Sequence, residues 1–440
     1  MTGYGLSPIH AIAFVAAFAA LSPLAAQAPR TDVQVVTLTE ARERALLASP
    51  AAIEARSRIE TSAWERRTAL TDLLTPTVTV GTSYTHFSDP FFNFGTGDIS
   101  PSATSATLQA SYSLLGWRKF VEIERARASL ETAEASETAT AYRVALATDA
   151  AYFAVLADHE LSRVAAERLR RAQEQLGIAR VRVQAGEAIA TDSLQLLLEV
   201  NRARLAVLRG DSALAVSTLR LGRQIGLDGP AEAAPLDTTT APALPLALDQ
   251  AVTELRTQGP ELVAARAAEQ TTEAALDAER GGYLPELTLS ATTGAYDAEF
   301  FPSALRRSQL AFTVSLPIWN GGQRELAIAR ARAQRNVAAA QRQDLERAAA
   351  EHMAEAYRGY ETARAGTDLA TVSVAVATES FRVQSVRYAE GATTILDLLE
   401  AQISLSEAEA SLVQARHATR LALARIETLL GRRLFDAPGS

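Results

Sequence analysis

The absence of cysteine and the uneven spacing of proline are the most informative gaps in this sequence of 440 residues. Without cysteine, the chain can form no disulfide, no thiolate zinc site and no cysteine nucleophile, and it cannot carry a lipid on an N-terminal cysteine. No proline lies from Ser102 to Gly229 or from Ile318 to Ala437. Proline-free, Ala-rich tracts of this kind favour long uninterrupted helices. Lys119 is the lone lysine, and a net charge of −8 argues against a general nucleic-acid-binding protein.

Long apolar runs are also scarce, and the one candidate lies near the beginning of the chain. Residues 11–24 are mostly apolar, and Ala26-Gln27-Ala28 follows them, which resembles the small-residue cleavage site of a secretory signal. We therefore expect residues 1–28 to be a signal peptide. Pro23 interrupts the apolar segment, which is already short for a membrane-spanning helix. If the protein sits in a membrane, it does so without helices.

The rest of the sequence repeats one plan twice. Leu38–Pro50 matches Leu248–Pro260 at an offset of 210 residues, and beyond the strands an offset of 205 relates Gly186 to Gly391. The predicted divisions are a first repeat at 29–228, a linker at 229–245, a second repeat at 246–433 and a C-terminal tail at 434–440. Each repeat is predicted to contain a helix, two strands, a long helix, a turn and a second long helix.

The helix after each turn carries an apolar stripe with a step of seven residues. The stripe residues are Val200, Val207, Leu214 and Leu221 in the first repeat and Leu405, Leu412, Thr419 and Ile426 in the second. Such a repeat is typical of helices that supercoil side by side, although an ordinary core stripe has the same spacing. The helix from Gly322 to Gly391 would be on the order of 100 Å long, which indicates a span across a compartment.

The four predicted strands alternate apolar and polar residues. Val78, Val80 and Tyr84 share one face of the first strand, and Leu310 and Phe312 share one face of the last. About ten residues with one apolar face is the pattern of a membrane-barrel strand, and a soluble half-buried sheet has the same alternation. Four strands cannot close in lipid, where every backbone group must be paired. A membrane location therefore requires several copies to pool their strands, and three copies would supply twelve, above a tube of twelve helices.

Three segments, together with the duplication, carry a resemblance to a known family. Leu316–Gly322 reads LPIWNGG, a strand end of Leu-Pro-aromatic followed by Gly-Gly, and the turn segments are Gly186–Asp192 and Tyr388–Glu400. By the order and spacing of these segments over about Val36 to Gly431, the sequence resembles the TolC-like outer-membrane efflux protein family.

The resemblance implies a fold, a location and a set of partners. The fold would be mostly α with membrane β, in which a homotrimer forms a 12-stranded barrel on a 12-helix periplasmic tunnel. The location would be the outer membrane of a Gram-negative-type bacterium, in contact with its lipid. The partners would be a periplasmic adaptor protein and an inner-membrane transporter that supplies the energy, so no cofactor is expected.

The predicted junction between barrel and tunnel consists of Pro317, Gly321 and Gly322. The two glycines would allow the chain to change direction without a side-chain clash. The first repeat departs from this pattern at Leu114–Trp117, which has one glycine and no proline. We therefore expect a different arrangement at its junction.

The predicted tip turns lie at the far end of the long helices. Gly186 and Gly391 would let the helices reverse direction, and with Thr191 and Thr394 they are the predicted docking turns for the adaptor. Thr191 and Asp192 resemble the N-cap of the returning helix.

The predicted periplasmic aperture consists of Asp397, Glu400 and Asp192. Asp397 and Glu400 lie three residues apart and so share a helix face, and three-fold symmetry would stack them into acidic rings that favour cations. Alternatively, Asp397 compensates the dipole at the start of its helix. The best-known gate of the family has an arginine in this turn where this chain has Thr393, so a lock here would be weaker or would use Arg387.

These features predict an outer-membrane channel that exports drugs, toxic compounds or secreted proteins, and not an enzyme. The five histidines are scattered without the two-His spacing of a zinc site, and no nucleophile–base pair is recognisable. Two alternatives remain. An exported soluble coiled-coil scaffold would explain the heptads but not the paired strands. A heavy-metal efflux channel of the same fold is the other, although the lack of Cys and the few His and Met give no sign of metal specificity.

Overall fold

The computed structural model describes residues 34–93, 97–236, 242–297 and 305–435, and the predicted signal peptide lies outside them. The helices of the first half are α1 (Leu38–Ala48), α2 (Pro50–Leu74), α3 (Trp117–Gln184) and α4 (Ala190–Gln224). Those of the second half are α5 (Leu248–Gln258), α6 (Pro260–Arg280), α7 (Gln323–Ala389) and α8 (Ile395–Leu430). Helices α3 and α7 have 68 and 67 residues. The long uninterrupted helices expected from the proline-free tracts are therefore confirmed.

The first helix of each repeat is divided in two, which the predicted plan of one helix missed. Pro50 and Pro260 are the first residues of α2 and α6. Proline suits this position because its missing N–H has no partner in the first turn, and it forces the preceding residue into an extended conformation. Ser49 and Gly259 accordingly have ψ angles of 125° and 127°.

Four long strands form one antiparallel sheet, and two short strands form another. The strands are β1 (Gln34–Val36), β2 (Thr77–Asn93), β3 (Asp98–Leu115), β4 (Ala231–Ala233), β5 (Glu286–Asp297) and β6 (Leu305–Ser315). The large sheet has the order β2-β3-β5-β6. With 17 and 18 residues, β2 and β3 are longer than the predicted ten, because their ladder continues past an irregularity after His86 to the pair Asn93–Asp98.

The register places the predicted apolar faces of the four strands on the same side of the sheet. Val80 lies opposite Leu108, and Leu289 lies opposite Phe312. Since directly opposed residues point to the same face, that face carries Val78, Val80, Tyr84, Leu108, Ala110, Tyr112, Leu289, Ala291, Leu310, Phe312 and Val314. Most of these large apolar side chains are exposed in the single chain, and Val80 reaches 81%.

The helices form a layer with two open edges. Helices α6 and α8 each contact both α3 and α7, so they lie between these two long helices. Helices α2 and α4 pack against α3 instead. The order across the layer is therefore α2 and α4, then α3, then α6 and α8, then α7. Since α2 leads into β2 and β6 leads into α7, the sheet and the helix layer share the same two edges.

A second, smaller layer covers the middle of the long helices. Strand β1 pairs in parallel with β4, which lies inside the predicted linker. The Tyr152 hydroxyl of α3 donates to the Ala234 carbonyl at 2.7 Å and lies 3.3 Å from the Val36 carbonyl, which ties the two strands to α3. Burial raises the pKa of Tyr152 to about 12. Beside it, Arg42 of α1 donates two hydrogen bonds of 2.6 and 2.7 Å to Asp149, which is 1% exposed.

The predicted stripes with a step of seven residues lie against other parts of the same chain. Val200, Leu221, Leu405 and Ile426 are buried, and Leu412 is half-buried. The stripes therefore form helix-packing contacts within one chain, which both interpretations expect. No helix in the described ranges combines the length and the apolar character needed to cross a bilayer.

His417 of α8 is buried against α3 with an unusual set of neighbours. Its Nε2 lies 3.5 Å from a carboxylate oxygen of Glu160, and its ring faces that of Phe153 at 6.4 Å between centroids. Neither ring nitrogen has a hydrogen-bond partner among the described residues. Burial lowers the pKa of His417, opposed by the charge of Glu160 and assisted by Arg416 and Arg420. The neutral imidazole is therefore the form that the fold stabilises.

Replacing Tyr152 with phenylalanine is expected to destabilise the protein by about 1–2 kcal/mol, because the Ala234 carbonyl loses its donor. The urea midpoint of detergent-solubilised protein measures this change. Tyr357 of α7 is the matched control: it stands 205 residues later and donates to the Leu246 carbonyl over a longer 3.2 Å. If Tyr357→Phe shifts the midpoint more than Tyr152→Phe does, the assigned role of Tyr152 is wrong.

Stability is expected to fall as the pH drops below the ordinary histidine pKa of about 6.5. The unfolded chain takes up a proton at His417 more readily than the folded chain does, so stability rises with pH in this window. Thermal melting between about pH 7.5 and pH 5.5 should show a shallower pH dependence for His417→Phe than for the unmodified protein. His159→Phe, at an exposed site on α3, should keep the original slope, and equal slopes for all three proteins would contradict the assignment.

Candidate functional site

The two helix reversals at the predicted tips have the same backbone geometry. Gly186 and Gly391 have φ angles of 76° and 74°, in the left-handed region. After the first long helix, the Gly186 N–H bonds to the Val183 carbonyl and the Glu187 N–H bonds to the Arg182 carbonyl. The equivalent bonds, 205 residues later, close α7. This is the Schellman arrangement, in which glycine is favoured because its backbone adopts positive φ without strain.

An arginine braces each reversal, and one of them joins the two hairpins. Arg182 donates to the Glu187 carbonyl at 3.2 Å, and Arg387 donates to the Ala392 carbonyl at 3.3 Å. Arg182 also donates to the backbone carbonyl of Tyr388 in the other hairpin and lies 5.0 Å from its ring centre. The sequence interpretation did not include Arg182, although the offset of 205 that relates it to Arg387 could have indicated it.

Tyr388 lies in the core that the two hairpins share near their tips. This core contains Ala172, Leu176, Ala179, Leu196, Val200, Ala203, Tyr388, Ile395 and Leu398. Burial and, after it, the negative charge of Asp192 raise the pKa of Tyr388. Asp192 is half-buried, and because its charge acts on Tyr388, it stands beside the opposite hairpin. The predicted aperture residue of the first turn thus interacts with the second hairpin.

Asp397 has a defined structural role at the start of α8. Its Oδ2 accepts hydrogen bonds from the Thr394 hydroxyl at 2.6 Å, the Thr393 hydroxyl at 2.8 Å and the Thr394 N–H at 3.1 Å. The Thr394 hydroxyl in turn accepts from the Asp397 N–H at 3.3 Å, which completes a capping box. The Thr394 hydroxyl first, and then the Thr393 hydroxyl, lower the pKa of Asp397. This geometry supports the helix-terminus alternative for Asp397.

The predicted N-cap at Thr191 and Asp192 is wrong by two to three residues. Helix α4 begins at Ala190, and Ile189 occupies the N-cap position with φ −86° and ψ 151°. Thr191 and Asp192 therefore lie in the first turn, where a carboxylate still complements the positive end of the helix. Ile189 has no hydroxyl and is equivalent to Thr394 at the offset of 205. The first reversal therefore lacks the cap that the second one has.

Asp397 and Glu400 are both exposed near the start of α8 and lie on one face of that helix. Among the described residues of one chain, no hydrogen bond or ion pair joins Asp192 to Asp397 or Glu400. Three exposed apolar side chains, Val181, Ile189 and Leu396, also lie at the tips. The tips therefore combine acidic and apolar groups on a rigid, hydrogen-bonded frame.

At the second strand–helix junction, Gly321 and Gly322 have φ angles of 70° and 81°. A Cβ added to either glycine would meet no atom within 4 Å. The predicted side-chain clash does not arise with a distant part of the chain; it is the local clash between a Cβ and its own backbone that positive φ would cause. The residues are glycine because the backbone is left-handed there, a conformation that other residues rarely adopt.

Arg324 of α7 fixes the geometry of this junction. Its Nη1 donates to the Pro317 carbonyl at 3.0 Å and to the Gly282 carbonyl at 3.2 Å. Its guanidinium lies 4.0 Å from the centre of the Tyr283 ring. One cation thus ties the ends of β6 and α6 to the first turn of α7. Sequence reasoning missed it because its partners are backbone carbonyls, which have no sequence signature.

The junction of the first repeat is different, as expected. Gly116 precedes α3 in an extended conformation with φ −138°. A Cβ at Gly281 would lie 2.7 Å from an atom of the Trp117 ring, so Gly281 allows that ring to approach the backbone of the other repeat. The described residues contain no group of three or more His, Asp or Glu side chains that could hold a metal ion.

The sequence matches the family model described as outer membrane efflux protein over residues 35–227 and 251–432. These two segments include the long helices and the strands of both repeats. OprJ, an outer membrane protein of Pseudomonas aeruginosa, is 25% identical over 301 residues, which are 67% of this chain and 63% of OprJ. The match thus spans less than two thirds of the length of that relative.

Solved structures share the fold at lower identity. VceC of Vibrio cholerae superimposes with a TM-score of 0.75 at 18% identity, over 90% of this chain and 97% of VceC. The open state of MtrE from Neisseria gonorrhoeae has a TM-score of 0.76 at 20% identity, over 90% of this chain and 89% of MtrE. The similarity therefore covers the sheet and the helix layer together.

The family match covers most of the chain, and the shared fold covers both repeats. The resemblance predicted from the junction and the turns is confirmed, as is the outer-membrane location that belongs to this family of Gram-negative bacteria. The chain belongs to the outer membrane efflux protein family.

Proposed function

We propose that three copies of this protein form an outer-membrane channel that exports substrates from the periplasm. In this assembly, twelve strands close a barrel in the membrane and twelve helices continue it as a periplasmic tunnel. The proposal rests on one observation: the sheet and the helix layer are open at the same two edges. The chain itself performs no catalysis and transfers no energy in this role.

The edges of the sheet require partners if the sheet is in lipid. Strands β2 and β6 are the outer strands of the four, so each presents one row of backbone donors and acceptors outside the sheet. In hydrocarbon each unpaired backbone group costs several kcal/mol, so an open sheet is not stable there. Pairing β2 of one copy with β6 of the next satisfies both rows. The exposed apolar face of the sheet then faces the lipid.

The edges of the helix layer carry apolar side chains that suit the same arrangement. On α7 the exposed residues Leu369, Val372, Val376 and Val386 are three to ten residues apart, which places them along one side. On α4 the exposed apolar residues include Leu194, Leu205, Leu208 and Leu219. Spacings of three, four and seven residues are those of helices that pack side by side. A neighbour that pairs its α4 with α7 would cover both sets.

The tips support the proposed partners and the proposed aperture. A periplasmic adaptor protein would dock on the turns at Gly186, Thr191, Gly391 and Thr394, where Ile189 and Leu396 are exposed. An inner-membrane transporter would supply the energy through this adaptor. Asp397, Glu400 and Asp192 would surround the periplasmic opening. Asp397 can serve as both cap and ring member, because its carboxylate is exposed while it accepts the threonine bonds.

The substrate class stays open between drugs, toxic compounds and secreted proteins. A soluble scaffold fits less well, because it would leave the apolar face of the sheet in water. A heavy-metal channel of the same fold has no metal-binding cluster among the described residues in its favour.

A crosslinking experiment tests the closure of the barrel by neighbouring copies. Since the chain has no cysteine, the pair Thr79→Cys and Gln309→Cys places one thiol on each edge strand, on the polar face. Bis-maleimides of graded length should produce covalent dimers and trimers and nothing larger. The matched control is Gln109→Cys with Thr292→Cys, which are directly opposed on β3 and β5 and should crosslink within one chain. Monomers only, or an open-ended ladder, would contradict the trimer.

Ion selectivity tests the acidic aperture. Glu400→Gln is expected to lower the cation-to-anion permeability ratio of the channel by roughly twofold in planar bilayers, because one ring of charge is removed. Asp397→Asn should act in the same direction. In the unmodified channel, the ring of Asp397 carboxylates should stay charged below the ordinary aspartate pKa of about 3.9, because the pKa of Asp397 is lowered. Asp368→Asn, an equal charge change on exposed α7 far from the tip, should leave the ratio unchanged. An unchanged ratio in Glu400→Gln would refute the ring.

A further inference from the structure

A groove of about 860 Å³ lies between α3 and α6, directly at the strand–helix junction of the first repeat. Its end nearest the sheet is formed by Trp117, Phe120, Tyr283 and Leu284, each of which is about half exposed. Exposed aromatic side chains beside the end of a membrane sheet are typical of the interface between lipid and water. The groove therefore begins at the level of the membrane boundary.

The character of the groove changes with distance from the sheet. Trp117 and Phe120 lie in the first turn of α3, whereas Glu124 lies two turns along and Arg127 lies further still. Along α6 and the segment that joins it to β5 the order is the same, since Glu273 lies further from the sheet than Leu284 does. Apart from Arg280 and Asp277, which form an ion pair with each other, the wall is therefore apolar at the sheet end and charged at the periplasmic end. A phospholipid has this polarity from its acyl chains to its headgroup.

The helix periodicity places the groove on the outside of the tunnel. Val121 and Glu124 precede Asp149 and Tyr152 by 28 residues, which is four heptads. In supercoiled helices, residues separated by whole heptads keep the same face, and even a straight helix drifts by only about 20° per heptad, or about 80° over four. Asp149 and Tyr152 lie beneath α1 and the β1–β4 pair. Since a second layer can be accommodated only outside a conducting tunnel, the groove opens to the surroundings of the tunnel.

The charges in the groove select a headgroup. Arg127 lies 3.1 Å from Glu131, and Arg280 lies 2.9 Å from Asp277, so these four charges are paired. Glu124 and Glu273 are exposed in the groove and form no ion pair among the described residues. The carboxylates of Glu124 and Glu273 therefore remain free to bind a cation, whereas the two arginines of the groove are already paired. An anionic headgroup would be repelled by this excess of negative charge.

We propose that this groove binds a phospholipid of the inner leaflet with a primary-amine headgroup, of the phosphatidylethanolamine class. The proposal rests on the proposed membrane channel, because the groove meets lipid only if the sheet is in a bilayer. The acyl chains lie along Trp117, Phe120 and Leu284, and the ammonium group lies at Glu124 and Glu273. The lipid fills the space between the two repeats where the sheet passes into the helices.

Tryptophan quenching by brominated lipids tests the site in the full-length channel. The chain has three tryptophans, so Trp64→Phe with Trp319→Phe leaves Trp117 as the reporter. Trp64→Phe with Trp117→Phe instead leaves Trp319, which is exposed at the other junction and outside the groove. Each variant is reconstituted in phosphatidylcholine vesicles that contain brominated phosphatidylethanolamine or brominated phosphatidylglycerol.

We expect Trp117 to reach half-maximal quenching at about a threefold lower mole fraction of the ethanolamine lipid than of the glycerol lipid. Trp319 should show no preference. Adding Glu124→Gln and Glu273→Gln to the Trp117 reporter should abolish the preference. Glu279→Gln, on the opposite side of α6, is the matched control and should preserve it.

Equal quenching of Trp117 by both lipids, or a preference that survives the double glutamine substitution, would overturn the lipid site while leaving the channel intact. An absence of quenching at both tryptophans by either lipid would overturn the membrane channel itself and the lipid site with it. The two proposals therefore fail in distinguishable ways.

Discussion

The rest of the architecture depends on the unpaired backbone of the outer strands. A sheet of four strands has two edges, and only pairing with further strands satisfies both edges in hydrocarbon. Because α2 leads into β2 and β6 leads into α7, whatever closes the sheet also closes the helix layer. In the proposed trimer, the long helices continue the closed sheet into the periplasm. A single constraint on backbone hydrogen bonding thus links membrane insertion to the proposed assembly.

Periodic features of the sequence were sufficient to predict most of the fold. The proline-free tracts indicated α3 and α7, and the alternation in β2 and β6 placed the apolar residues on the face that the register confirms. Gly186 and Gly391 indicated the reversals because left-handed backbone strongly favours glycine. These signals are local, so they can be read without knowledge of distant partners. The strand lengths were underestimated because β2 and β3 continue beyond an irregular pair.

Contacts between distant segments could not be predicted from the residues alone. Arg182 meets Tyr388 across the two hairpins, and Arg324 binds carbonyls in the segments that follow α6 and β6. Their partners are backbone atoms, which have no sequence signature. The N-cap at Ile189 was missed for a related reason: an N-cap is defined by backbone conformation, and Thr191 has the favoured side chain at the wrong position. The side-chain preference and the backbone geometry point to different residues there.

Divergence between the two repeats explains why the groove at α3 and α6 belongs to one junction only. In the proposed trimer, α7 would lie next to α2 of a neighbouring copy, so an equivalent groove would lie between chains. At the offset of 205, however, Trp117 corresponds to Gly322 and Glu124 corresponds to Ala329. The equivalent position therefore lacks both the aromatic wall and the carboxylate. The chain passes from strand to helix in two different ways: through left-handed glycines at one junction and beside a tryptophan at the other. Only the junction with the tryptophan has an amphipathic groove.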